Sequence, residues 1–269
     1  MNQALIRFLL FTTCLLLIPA CSDESAPSSE SLAAITENNT IFFVNPSDPG
    51  TVTRGLVITG IVQPAISFSA IDFRPSTREL YALEIGSVNR RLYTIDLQTG
   101  FALRIGVNAL TSTTNPGFDF SPVVDRLRIV DPTDINFRVE VDTLSSTTDT
   151  SLSPDSDVVA LAYTNNVAGA AVTTLYGIDS VAATLVRIGG PDGTPSPNGG
   201  AVTTIGPLGI TPATNEVSFD IAPSGTAYAS WGTPGGIWRL YTINLSTGAA
   251  TEVGILGNGG RVLGISVVP

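Results

Sequence analysis

Residues 91–106 read Arg-Leu-Tyr-Thr-Ile-Asp-Leu-Gln-Thr-Gly-Phe-Ala-Leu-Arg-Ile-Gly, and residues 239–254 read Arg-Leu-Tyr-Thr-Ile-Asn-Leu-Ser-Thr-Gly-Ala-Ala-Thr-Glu-Val-Gly. Each has the grammar of an antiparallel hairpin: an alternating strand, a Thr-Gly turn whose glycine tolerates positive φ, and a second strand ending at Gly. Weaker copies lie at 175–189, 136–143 and 41–59. Aligned on the turn, the copies place an aromatic residue at one position, Phe42, Tyr93, Phe137, Tyr176 and Tyr241, and a small polar or acidic residue near the turn entry, Asn45, Asp96, Glu140, Asp179 and Asn244. Recurrence at this spacing is the mark of a repeat protein.

Working outward, each of the two quoted hairpins is preceded by two more strand-like runs. Ala70 to Pro75 and Glu79 to Ile85 precede the first quoted stretch, and Val217 to Pro223 and Thr226 to Trp231 precede the second. Four antiparallel strands in about 40 residues make one propeller blade. The marker spacings of 51, 44, 39 and 65 residues fit such a period, with a Gly- and Pro-rich insertion at 190–214 inside the longest. The fold class expected is all-β, a β-propeller of five four-stranded blades, or six if part of 203–210 belongs to an extra one. The C-terminal run Arg261 to Pro269 resembles a first strand (compare Ala70 to Pro75), while the segment from Ser31 supplies strands two to four. Pairing the two closes the ring and removes a free sheet edge. No segment shows a sustained helical period.

The N-terminus reads as an address. Arg7 precedes an apolar run, Phe8 to Ile18, that is short for a permanent span and ends in Ile18-Pro19-Ala20-Cys21, which resembles a bacterial lipobox. The expected organisation is a lipoprotein-type signal peptide at 1–20, a flexible tether rich in Ser, Asp, Glu and Pro at 21–30, and one propeller domain at 31–269. The chain has two cysteines; Cys14 leaves with the signal, so Cys21 has no disulfide partner and is the expected lipidation site, the alternative being ordinary cleavage after Ala20 with a free thiol. Ser22 follows it, which by the enterobacterial sorting rule directs the anchor to the outer membrane of a Gram-negative bacterium. The partners expected are the membrane, through that anchor, and an envelope protein or glycan. A formal charge of −10 disfavours phosphate backbones, so no nucleic-acid partner is expected.

What is missing narrows the chemistry. The chain has no His and no Lys, and all 13 basic residues are Arg. That excludes Ser-His-Asp triads, His-ligated metals, Schiff bases and phosphate-loop lysines, leaving carboxylate pairs or hard-metal sites. No catalytic residue is assigned. Three first strands end in a matched acid and Pro, at Asp72, Asp119 and Asp220. If those strands are innermost, the three carboxylates stand at one level of the central channel, where they would raise one another's pKa or recruit a cation such as Ca2+. The alternative is that each Asp bonds backbone in its Pro turn as a structural staple.

The densest charge in any blade runs from Gly117 to Arg138. Asp125, Arg126, Arg128, Asn136 and Arg138 there, with Arg74, are candidates for a ligand pocket in which Arg meets carboxylates; the bland reading pairs them across strands. The acidic loop holding Asp142, Asp149, Asp155 and Asp157 reads as a solvated face. Trp231 and Trp238 read as a candidate sugar platform, with one exposed Trp the plainer expectation.

The segments Asp72-Phe-Arg-Pro, Glu79-Leu-Tyr-Ala-Leu, Arg91-Leu-Tyr-Thr-Ile-Asp, Gly117-Phe-Asp-Phe-Ser-Pro-Val-Val-Asp-Arg-Leu-Arg and Asn136-Phe-Arg resemble the bacterial domain of unknown function 4394 family, with Ser121 where that pattern has Asn. The resemblance runs from about Ser31 to Pro269. It implies an exported propeller-like domain and brings no catalytic residue with it. The function expected is a lipid-anchored envelope module for binding or scaffolding. The alternatives are a carboxylate hydrolase or lyase acting on an envelope glycan, or a metal-binding propeller.

Overall fold

The computed structural model describes residues 30–61, 67–84, 90–110, 115–233 and 235–269. The expected signal peptide and all of the tether except Glu30 therefore lie outside the described residues. Among the described residues, twenty strands build five sheets of four. In chain order, β1 (Leu32–Thr36), β2 (Thr40–Asn45) and β3 (Asp48–Val57) come first. The second blade is β4 (Phe68–Phe73), β5 (Leu80–Glu84), β6 (Arg90–Ile95) and β7 (Ala102–Leu110). The third is β8 (Gly117–Ser121), β9 (Arg126–Val130), β10 (Asn136–Glu140) and β11 (Ser145–Thr148). The fourth is β12 (Val158–Tyr163), β13 (Leu175–Asp179), β14 (Thr184–Ile188) and β15 (Val202–Pro207). The fifth is β16 (Val217–Ile221), β17 (Ala227–Gly232), β18 (Trp238–Ile243) and β19 (Ala250–Ile255). The last strand, β20 (Val262–Val267), pairs antiparallel with β1 and becomes the inner strand of the first blade. The ring thus closes as its two ends suggest, with five blades. The stretch considered for a sixth, 203–210, supplies instead the outer strand β15 of the fourth.

A three-residue ladder explains why each blade packs as it does. Across the first three strands the pairs run Ile265, Ala34, Phe42; Ile71, Ala82, Tyr93; Phe118, Ile129, Phe137; Leu161, Gly177, Val186; and Phe219, Ala229, Tyr241. In three blades a large residue on the third strand lies opposite alanine on the second, so volume is complementary across the pleat. The fourth blade reaches the same sum differently, with Val186 opposite Gly177. An added Cβ at Gly177 would lie 2.8 Å from Val158 Cγ1, leaving no space for one.

That ladder corrects one alignment. Tyr176 is on β13, a second strand, whereas the other four aromatic markers are on third strands. The hairpin Leu175 to Gly189 is therefore one strand out of phase with its supposed copies. This is why the marker spacing contracts to 39 and then stretches to 65 residues.

The small polar residues at the turns close them as acceptors. Asp96 Oδ1 accepts from Gln98 N at 2.7 Å, Asn244 Oδ1 from Ser246 N at 2.9 Å, Asn45 Oδ1 from Ser47 N at 2.9 Å and Asp179 Oδ1 from Ala182 N at 2.8 Å. Gly100 and Gly248 follow with φ of 77° and 83°, in the left-handed region that a glycine occupies without strain. Glu140 departs from the pattern and pairs with Arg126 at 3.0 Å.

Neither tryptophan offers a platform. Trp231 is fully buried and stacks on Tyr241 with ring centroids 3.8 Å apart and planes 8° apart, and Trp238 is buried too. Both are core anchors because they sit on β17 and β18, within the packed body of the fifth blade.

Candidate functional site

The inner strands β20, β4, β8, β12 and β16 face one another around the axis, and they bring Asp72, Asp119 and Asp220 to one level. One oxygen from each carboxylate lies within 4.8 Å of the others, and all three side chains are buried. The equivalent positions in the other two blades are Ala162 and Ser266, since Asp72 aligns with residues one before Phe73, Phe120, Tyr163, Ile221 and Val267.

Each polar side chain in this ring reaches to the next blade. Asp72 Oδ2 accepts from Phe120 N at 2.9 Å, Asp119 Oδ2 accepts from Tyr163 N, Asp220 Oδ2 accepts from Val267 N at 2.6 Å, and Ser266 Oγ accepts from Phe73 N at 3.2 Å. The fifth link is missing because Ala162 has no acceptor. Ile221 N is instead satisfied by its own Asp220 Oδ1 at 2.6 Å. The hydroxyl hydrogen of Ser266 completes the cycle on Asp72 Oδ1 at 2.9 Å, with Asp220 Oδ2 at 3.1 Å as the other acceptor in reach. Each aspartate thus bonds backbone of the neighbouring blade, and Asp220 bonds the N–H of its own Ile221 as well.

Three carboxylates out of water cannot all stay charged. Burial raises Asp72 above the ordinary carboxylate range. Burial raises Asp119 well above that range, and the charge of Asp72 adds to it. Asp220 is pushed up to about 7 by burial and then by Asp72. Protons are therefore held in the ring near neutrality.

The remaining candidates do not join this cluster. Arg74 lies between the second and third blades, where Nε and Nη2 grip Asp125 at 2.9 and 2.7 Å and Nη1 reaches Asp142 Oδ1 at 2.7 Å. That guanidinium holds both carboxyls below the usual range. Arg126 turns to Glu140 across the third blade.

Arg128, Asn136 and Arg138 form a third group. The Arg128 side chain is 2% exposed. Its Nε donates to the Tyr163 hydroxyl at 2.8 Å, Nη1 to Asp149 Oδ2 at 3.0 Å and to Asn136 Oδ1, and Nη2 to Asn198 Oδ1. Asn136 is fixed in turn by Nδ2 donating to the Thr150 and Pro197 carbonyls at 3.0 and 3.1 Å. Arg138 holds the other edge of Asp149, Nε to Oδ2 at 2.8 Å and Nη2 to Oδ1 at 2.9 Å. Asp149, expected on a solvated face, is thus the buried partner of two arginines. A depression of about 200 Å3 opens beside this group, between the third and fourth blades.

Residues 40–266 match the profile of the domain of unknown function DUF4394. The chain belongs to the DUF4394 family. No curated protein matches the DUF4394 chain in sequence. Among solved structures it is similar to TolB from Acinetobacter baumannii, at 12% sequence identity over 90% of this chain and 67% of that one, with a TM-score of 0.49. Among the described residues of the DUF4394 chain, no helix is long and apolar enough to cross a membrane.

Proposed function

We propose that this DUF4394 propeller is a cell-envelope binding module, lipid-anchored at Cys21 in the outer membrane, that engages an envelope protein or glycan through one of its faces. The observation that carries this reading is the contrast between a closed centre and open faces. At the mouth where the inner strands begin, only about 20 Å3 is open, room for roughly one water. The faces and flanks hold depressions of about 200, 380 and 920 Å3. Ligands of a rigid ring are met by its loops, which is where function concentrates on such scaffolds.

The anchor suits this geometry. The chain enters the ring at Glu30, next to β20, on the face where the inner strands end, and Glu30 Oε2 accepts from the Tyr228 hydroxyl at 2.6 Å. A carboxylate enzyme built from two of Asp72, Asp119 and Asp220 is disfavoured, because each is 2% exposed and committed to backbone N–H donors, and Arg74 and Arg126 point elsewhere.

The test is fractionation with crosslinking. Wild-type chain is expected in the outer-membrane fraction, carrying an acyl group and crosslinking to a discrete envelope component, whereas Cys21→Ser is expected to lose both acylation and membrane retention. An unacylated wild-type chain recovered free of the envelope would overturn the anchor. A chain that crosslinks to nothing in the envelope would overturn the module.

A further inference from the structure

The depression between the third and fourth blades has a chemistry of its own. Its walls include Arg128 and Arg138 with Val123 and Val124 from the third blade, and Tyr163, Val172 and Asn198 from the fourth. The three valines are 40%, 55% and 42% exposed, apolar surface lining the same depression as two arginines. Those arginines share one carboxylate, Asp149, itself 5% exposed. One positive charge is left over in the wall. Arg128 is engaged through all three of its nitrogens, but among the described residues nothing accepts from Nη1 of Arg138. Asp192 also lines the depression, but it is exposed at the rim, where water and salt screen it.

We propose that this depression binds a small carboxylate that carries an apolar group. The carboxylate takes the unused Nη1 edge of Arg138, and the apolar group lies on Val123, Val124 and Val172. The planar guanidinium, fixed from behind by Asp149, suits a singly charged planar anion, and charge-assisted bonds of this kind are among the stronger ones available. A doubly charged phosphate would leave one charge unmatched. Asn198, delivered by the insertion after β14, holds Arg128 in place and so gives that Gly- and Pro-rich segment a role. This site rests on the binding-module reading and names its ligand class. The same chemistry is offered by a free organic acid and by the C-terminal carboxylate of a peptide.

The experiment is calorimetric titration of the full chain, purified with its anchor in detergent, with benzoate, N-acetylphenylalanine, benzamide and inorganic phosphate as probes. Binding of benzoate or N-acetylphenylalanine is expected, at least tenfold tighter than benzamide or phosphate, and weakened at least tenfold by Arg138→Gln. Tighter binding of N-acetylphenylalanine would assign the site to peptide ends; tighter binding of benzoate would assign it to free acids. Should Arg138→Gln fail to fold, Val124→Asp, at an exposed position, provides the second variant, again with tenfold loss expected. The proposal is overturned if neither carboxylate binds at roughly 10 mM, well above a Kd of about 1 mM, or if binding survives both substitutions. Failure here with a crosslinked envelope partner still recovered would leave the module reading intact and remove only this site.

Discussion

Arg128 donates from Nε to the hydroxyl of Tyr163 at 2.8 Å, and Tyr163 gives its own backbone N–H to Asp119. One residue thus joins the arginine pocket on the face to the carboxylates on the axis. The inner strand β12 therefore serves both sites, its last side chain facing one and its backbone the other. Burial raises the Tyr163 pKa, so the hydroxyl stays protonated and neutral beside the guanidinium.

Tyr163→Phe tests this junction. It leaves the buried Nε of Arg128 without an acceptor, a loss of about 1–3 kcal/mol. In a domain of this size each kcal/mol moves the melting temperature by about 2–4 °C, so a drop of several degrees in thermal denaturation is expected. An unchanged melt would mean that water takes the place of the hydroxyl.

The central ring predicts a pH dependence. Asp72, Asp119 and Asp220 have folded pKa values raised above their unfolded ones, so their favourable contribution is full below about pH 4 and is lost as pH rises through the folded values, near 7 for Asp220. Asp125 and Asp142, lowered by Arg74, act in the opposite sense and lose their contribution as pH falls below the usual carboxylate range. The melting temperature is expected to decline between pH 5 and pH 8, and Asp220→Asn, which keeps an acceptor for Val267 N, is expected to flatten that decline. A wild-type melt that rises over this range would contradict protonated carboxylates at the centre.

Packing within the fourth blade leaves a side chain at Gly177 room only if Val158 shifts. Gly177→Ala would press a methyl against Val158 Cγ1 at 2.8 Å. Overpacking of this kind costs about 1–3 kcal/mol, readable as a lower midpoint in urea with unchanged slope. The same substitution at Gly225, where nothing lies within 4 Å but φ is 89°, separates crowding from backbone strain.

Much of this architecture was legible in the residues because period-2 alternation, turn acceptors and glycines at positive φ are local signals, as Asp96, Gly100, Asn244 and Gly248 illustrate. The level of Asp72, Asp119 and Asp220 was legible too, since each follows the same strand pattern. Ser266 could have been added from the likeness of Ile265-Ser266-Val267 to Ile71-Asp72-Phe73. The fourth blade was harder, because its third strand carries Val186 where the repeat has an aromatic and its outer strand follows an insertion. The roles of Asn198 and Asp149 had no sequence signal: each is brought to Arg128 by tertiary packing over 70 and 21 residues.

Closure of the ring is the property most open to a deletion. Removing residues 262–269 takes away β20, the donor to Asp220 at Val267 N, and the cover on the β1 edge. Exposed strand edges template association. The truncated chain is expected to lose its cooperative melt and to elute as aggregate in size-exclusion chromatography. A monodisperse truncation melting within a few degrees of wild type would mean that the blades hold without the closing strand.

The most direct test of a proton-held centre with function on the faces is a calcium titration of the melting temperature. The full chain and Asp119→Asn are compared in chelator and in increasing Ca2+. A cation bound only by the folded state must raise the melt in step with its excess over Kd, by about 2.7 kcal/mol at a hundredfold excess. Superimposable wild-type curves are expected, because five of the ring's six carboxylate oxygens already accept from backbone or Ser266 donors. A calcium-dependent rise that disappears in Asp119→Asn would contradict it and make the axis a metal site.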